Sequence, residues 1–243
     1  MKPFLLVSTR PEEEALVSEY QAYLQSTGLS EDRLELAEFD LVGLPPVELG
    51  DYQGVFVAGS PYGNITAGTA TSRTQRWVAE ELREFFRQVL AAEIPCLATG
   101  TAMSLLTELL GGKVADEHME LSEVTWVTQT REGMEDPLLA GVAEDFLAYV
   151  SHTEAARELP AGAVRLAWSP NCPVQMFRHG QHIYATQFSP ELDGEAIQRK
   201  TEMYADAGDF RVGDLDMLVG TGRHRTGGQQ SALILRNFVK QFS

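Results

Sequence analysis

Two short stretches of this chain have the residue types and spacing that chemistry at a backbone turn requires. One is Gly59-Ser60-Pro61, directly after the apolar run Val55-Phe56-Val57-Ala58; the other is Ala98-Thr99-Gly100-Thr101-Ala102, directly after Pro95-Cys96-Leu97. A sharp strand-to-helix turn of small residues is the geometry of a nucleophile elbow, where one residue lifts its side chain into a site and nearby backbone N–H groups form an oxyanion hole. The hydroxyls of Thr99, Thr101 and Ser104 stand at or just after the second turn, and Cys96 lies four residues before Gly100. Cys96 falls inside an apolar run and reads as a small buried hydrophobe. A hydrolase built on one of the three hydroxyls also needs a base. Of the five histidines, His179 and His182 flank Gly180 in what reads as a hairpin turn, and His118 and His224 fall in polar loops. No histidine shows ligand spacing to a carboxylate along the sequence, so neither a metal nor another cofactor is expected.

The elements that must position these turns follow from periodicity. Phe4-Leu5-Leu6-Val7 is a continuous apolar run of the kind a strand buried on both faces needs. A helix is expected next, with Pro11 and the acids Glu12, Glu13 and Glu14 in its first turn and Leu16, Tyr20, Tyr23 and Leu24 at helical spacing. Further strands are expected at 34–39, 55–58 and 95–98, a strongly amphipathic helix at 74–92 with Val78, Leu82, Phe85, Phe86 and Val89 on one face, and a helix near 101–111. Up to Gly112 the order is β-α-β-β-α-β-α, which implies an α/β fold with an open, mostly parallel sheet covered by helices. From 113 to 188 short alternating strands near 122–129, 145–150, 164–168, 174–178 and 182–188 imply a smaller antiparallel β region. A helix is expected after Pro190, a loop or lid over the glycine-rich 209–230, and a terminal helix over 233–242. With no linker of low complexity, residues 1–243 read as one domain.

Composition narrows the partners. A formal charge of −16 and a pI near 4.7 repel phosphate backbones and anionic lipid, so no nucleic acid and no membrane partner are expected. Two cysteines are too few for a disulfide scaffold, and a cytoplasmic setting is the simpler account.

The segment from Ile94 through Ala98-Thr99-Gly100-Thr101-Ala102 to Leu110-Gly111-Gly112-Lys113-Val114 resembles the core motif of class I glutamine amidotransferases. Glu135-Asp136-Pro137-Leu138, Ser151-His152-Thr153-Glu154, Leu159-Pro160-Ala161-Gly162, Cys172-Pro173-Val174-Gln175 and Gln187-Phe188-Ser189-Pro190-Glu191 are similar to further family motifs, in family order over roughly residues 52–240. The resemblance is to the free-standing, GMP-synthase-like glutaminase domain and implies a flavodoxin-like fold. Counted back from Leu110-Gly111-Gly112, it puts Gly100 at the position of the nucleophilic cysteine. It puts Ser189 at the position of the catalytic histidine and retains only Glu191 of the triad. Glycine offers no atom for attack and serine does not shuttle protons near neutral pH, so the expectation is a protein without glutaminase activity. Ser189-Pro190-Glu191 also reads simply as a helix start. The resemblance further implies a substrate pocket lined by Gly59, Ser60, Thr101, Ser104 and His152, together with Thr99 and Gly100, that takes glutamine or a related small amide. It also implies a synthetase or other protein as partner. Two alternatives stay open: an amidase or hydrolase using Thr99, Thr101 or Ser104, and an active amidotransferase supplying ammonia to a synthetase.

Overall fold

The structure is a computed structural model, and it describes residues 1–39, 43–63, 66, 72–192 and 227–243. Strands β1 (Phe4–Ser8), β2 (Leu34–Glu38), β3 (Val55–Val57) and β4 (Cys96–Thr99) form a parallel block. The second half of the chain adds β5 (Lys113–Ala115), β6 (Glu120–Gln129), β7 (Asp145–His152), β8 (Ala155–Glu158), β9 (Ala163–Trp168), β10 (Met176–His179) and β11 (Ile183–Thr186). Nine of these strands make one sheet in the order β2-β1-β3-β4-β11-β10-β9-β6-β7, and β5 pairs with β8 in a separate antiparallel ribbon. β11 joins the two styles: it runs parallel to β4 and antiparallel to β10. The antiparallel region is therefore not a separate lobe but the continuation of the parallel sheet.

The helices are α1 (Glu13–Thr27), α2 (Arg73–Ala91), α3 (Thr101–Leu109), the short α4 (Arg131–Met134) and α5 (Gly227–Phe242). Alternation along the strands explains the continuous apolar runs. Leu5, Val7, Val55, Val57, Cys96 and Ala98 face one side, with Val78, Leu82, Phe86 and Val89 of α2 and Met103, Leu105 and Leu106 of α3. Phe4, Leu6, Phe56, Ala58 and Leu97 face the other, against Tyr23 of α1 and Ile234, Leu235 and Phe238 of α5. The strands at the centre of the parallel block are thus continuously apolar because both of their faces are covered. α2 opens on a capping box, with Ser72 Oγ accepting from the Gln75 N–H and the Gln75 side chain accepting from the Ser72 N–H.

Several expected boundaries shift. α1 begins at Glu13, so Pro11 precedes the helix and only Glu13 and Glu14 act in its first turn. α5 begins at Gly227, which takes Gly227 and Gly228 out of the expected loop and into a helix; residues 209–226 of that expected loop lie outside the described residues. Pro190 and Glu191 form a turn closed by the Leu192 N–H on Ser189 O (3.3 Å), and the helix expected beyond them also lies outside the described residues. No helix among the described residues is long and apolar enough to cross a membrane.

Candidate functional site

Both turns singled out in the sequence meet at the C-terminal edge of the parallel block, where open α/β sheets place their sites. β4 ends at Thr99, α3 starts at Thr101, and Gly100 makes the corner with φ 56° and ψ −125°. That conformation is nearly closed to any residue with a Cβ and is the strained backbone of an elbow. The corner is pinned to β11 by the Gly100 N–H, which donates to Thr186 O at 2.8 Å. A Cβ placed on Gly100 would meet only the Cα of Gly59, at 3.6 Å, an ordinary contact. Space for a Cβ is present.

The neighbouring backbone donors are occupied. The Gly59 N–H donates to Thr99 Oγ1 (3.1 Å) and the Ser60 N–H donates to Thr101 Oγ1 (2.6 Å). Both N–H groups of this turn are therefore already paired with threonine hydroxyls from the other turn. Thr99 Oγ1 also lies 3.4 Å from the hydroxyl of Tyr23. Neither threonine hydroxyl is hydrogen-bonded to a histidine or a carboxylate among the described residues, so neither has a base in place.

Glu191 is buried, and its backbone oxygen accepts from Ser26 Oγ at 3.0 Å. Its carboxylate and that of Glu19 act on Tyr23, whose hydroxyl pKa is driven well above the ordinary tyrosine value, first by complete burial and then by these two negative charges. Tyr23 therefore stays a neutral hydroxyl between the Thr99 corner and the charge of Glu191. Ser189 is half-buried and pairs through its backbone with Tyr149 in an antiparallel bridge, its N–H donating to Tyr149 O at 3.0 Å. It follows closely on Thr186, the residue that holds Gly100.

Ser104 lies on the buried side of α3, with no hydrogen-bond partner for its Oγ among the described residues. His152 is buried at the end of β7, where Nε2 lies 2.9 Å from Glu120 Oε2. The sequence showed no such His–carboxylate pair, since 32 residues separate the two; antiparallel pairing sets Glu120 of β6 directly opposite His152 of β7. Cys96 is fully buried in β4, and burial pushes its thiol up to about 12, so it is no nucleophile at neutral pH.

The structure thus gathers Gly59, Ser60, Thr99, Gly100 and Thr101 in one corner, sets the charge of Glu191 on Tyr23 beside it, and pairs His152 with Glu120. Sequence reasoning missed the groups beneath the corner. Arg10 donates from Nε to Glu19 Oε1 (2.8 Å) and from Nη2 to Gly59 O (3.2 Å), and Ser8 Oγ donates to Glu19 as well. One signal was available: Ser8 and Arg10 sit at the C-terminal end of β1, the same sheet edge as the two turns.

The model of the family described as glutamine amidotransferase class-I matches residues 30–204, well over half of the chain. The chain belongs to the class I glutamine amidotransferases. The matched span of this amidotransferase domain includes the Gly59 turn, the Gly100 corner, Ser189 and Glu191. Among curated relatives, the GMP synthase (glutamine-hydrolyzing) of Wolinella succinogenes is 33% identical over 108 residues, 44% of this chain and 21% of that protein. The GMP synthase of Streptococcus thermophilus is 30% identical over 134 residues, 55% of this chain and 25% of that protein. The match thus takes in about a fifth to a quarter of these relatives' length. A glutamine amidotransferase from Thermotoga maritima superimposes with a TM-score of 0.80 at 17% identity, covering 100% of this chain and 98% of its own. A glutamine amidotransferase from Methylobacillus flagellatus gives 0.72 at 15% identity, covering 100% and 96%. These two show the fold.

Proposed function

We propose that this chain is an amidotransferase-like protein that does not hydrolyse glutamine and serves a binding or regulatory role beside a synthetase. The observation that carries this reading is the elbow: its backbone keeps the sharp φ > 0 corner and room for a Cβ, yet the residue there is Gly100. Without a thiolate there is no covalent step, and with Ser189 in place of an imidazole there is no general base or acid for the departing ammonia. The occupied N–H groups of Gly59 and Ser60 support the same reading, because a tetrahedral oxyanion would have to displace two threonine hydroxyls.

The matched relatives carry the name GMP synthase and extend far beyond the region this chain matches, which supports a synthetase partner. Both cysteines are free and buried, in keeping with a cytoplasmic setting. A hydrolase using Thr99, Thr101 or Ser104 has no observation in its favour. The deciding experiment measures ammonia and glutamate release from glutamine, alone and with the candidate synthetase added. The expected result is no release above background in either case. Turnover by the wild-type chain would overturn the reading, and its sensitivity to a thiol reagent would tell a cysteine enzyme from a hydroxyl one. Calorimetric titration with glutamine and small amides tests the binding role separately.

A further inference from the structure

Away from the elbow, the described residues bury one cluster of chemistry-bearing side chains that the proposed function leaves unused. Glu120 opens β6 and His152 closes β7 opposite it, while Ser169, Cys172 and Gln175 come from the segment between β9 and β10. All five are at least nine-tenths buried. Glu120 accepts at Oε1 from Ser169 Oγ (3.0 Å) and at Oε2 from Gln175 Nε2 (2.5 Å), with His152 Nε2 at 2.9 Å. The Cys172 N–H donates to Ser169 Oγ at 3.1 Å, and its thiol points to Val174 O at 3.4 Å. One donor atom each from Glu120, His152 and Cys172 lies within 4.8 Å of the other two.

Two buried polar atoms of this cluster have no partner among the described residues. Glu120 has no lysine or arginine partner among the described residues. His152 Nδ1 and Gln175 Oε1 are both buried without a hydrogen-bond partner among the described residues. Unpaired polar atoms are costly at this depth of burial, and a metal ion is a group that accepts lone pairs there.

We propose that Glu120, His152 and Cys172 form a buried structural zinc site, with the Gln175 side-chain oxygen as the fourth donor. A thiolate, an imidazole nitrogen and a carboxylate oxygen are donors zinc accepts, the Gln175 oxygen would complete a tetrahedral set, and zinc requires no redox partner. Binding replaces the thiol proton of Cys172, which leaves to solvent, so one proton is released by the thiol for each zinc bound. Ser169, which donates to the carboxylate and accepts from the Cys172 N–H, orients two of the donors from behind. The metal ties the start of β6, the end of β7 and the entry to β10 together.

The test titrates the full chain, first stripped by chelator, with zinc and separately with cobalt(II). The expected result is one metal per chain, a higher thermal midpoint with zinc, and a thiolate-to-cobalt charge-transfer band in the near ultraviolet. Cys172→Ser should abolish that band and weaken zinc binding, whereas Cys96→Ala should keep both. Ser169→Ala should keep the band and weaken binding by about tenfold. A folded wild-type chain that takes up no zinc at micromolar concentration overturns the proposal, and so does binding unchanged by Cys172→Ser. Should the variants fail to fold, the wild-type cobalt spectrum decides, because absence of the thiolate band rules the site out.

Discussion

Placing a cysteine and a histidine at the two positions that the proposed function reads as vacated is the most searching test of how this site is built. In Gly100→Cys/Ser189→His, the cysteine must adopt φ 56°, ψ −125°, while its Cβ meets the Cα of Gly59 at 3.6 Å, an ordinary contact. The cost is then backbone strain alone, about 1–3 kcal/mol, which for a chain of this length lowers the thermal midpoint by about 2–12 °C. Chemistry should return only weakly, because the Ser60 N–H still donates to Thr101 Oγ1 at 2.6 Å. A single oxyanion donor is worth roughly 10²–10³ in kcat. Adding Thr101→Ala, which frees that donor, should therefore raise glutaminase turnover over the double variant by about that factor. The assay is coupled glutamate detection on proteins of matched thermal midpoint, with wild type and Gly100→Cys alone as blanks. The reasoning is refuted if the double variant already turns over at full rate, or if removing the Thr101 hydroxyl changes nothing. A midpoint that rises on Gly100→Cys would refute the strained corner itself.

Other expectations follow from packing and burial. Gly133→Ala would place a Cβ 2.1 Å from Leu166 O. It should cost more than about 3 kcal/mol and lower the thermal midpoint by at least about 6 °C, read by calorimetry. Ser72→Ala removes the cap of α2 and should cost about 1 kcal/mol, a midpoint shift of about 2–4 °C with the sheet signal in circular dichroism unchanged. Burial holds the Cys96 thiol neutral up to about 12, against an ordinary value of 9.0, so its contribution is fully present below pH 9. The unfolded chain loses this proton first, and stability should fall as pH rises from 9 toward 12; guanidinium midpoints should show a slope that Cys96→Ala reduces.

The parallel half of the fold was legible because its central strands, buried on both faces, wrote themselves as apolar runs, and because α2 carries one clean stripe from Val78 to Val89. The corner was legible as well, since small residues after a strand have few other uses. What the sequence hid was lateral. Glu120 and His152 meet only through the β6–β7 register, and alternation along one strand says nothing about which residue stands opposite on the next. Arg10 and Tyr23 were hidden for a related reason: their partners Gly59 and Thr99 come from distant parts of the chain. The capping of the Gly59 and Ser60 N–H groups by threonine hydroxyls depends on short distances between two turns, which residue types alone do not encode.

The aromatic contact between the first strand and the last helix bears on when the molecule becomes folded. The ring of Phe238 in α5 lies 6.2 Å from that of Phe4 and 5.1 Å from that of Phe56, and β11 must pair with β4 before Gly100 finds Thr186. During synthesis, β1, β3 and β4 therefore emerge long before the elements that cover one of their faces and one edge of their sheet. Pairings so distant along the chain close slowly, and an uncovered apolar sheet edge is open to association with other chains while it waits. The nascent chain should thus depend on chaperones in proportion to the delay between β4 and α5, and release from them should coincide with the closing of the elbow.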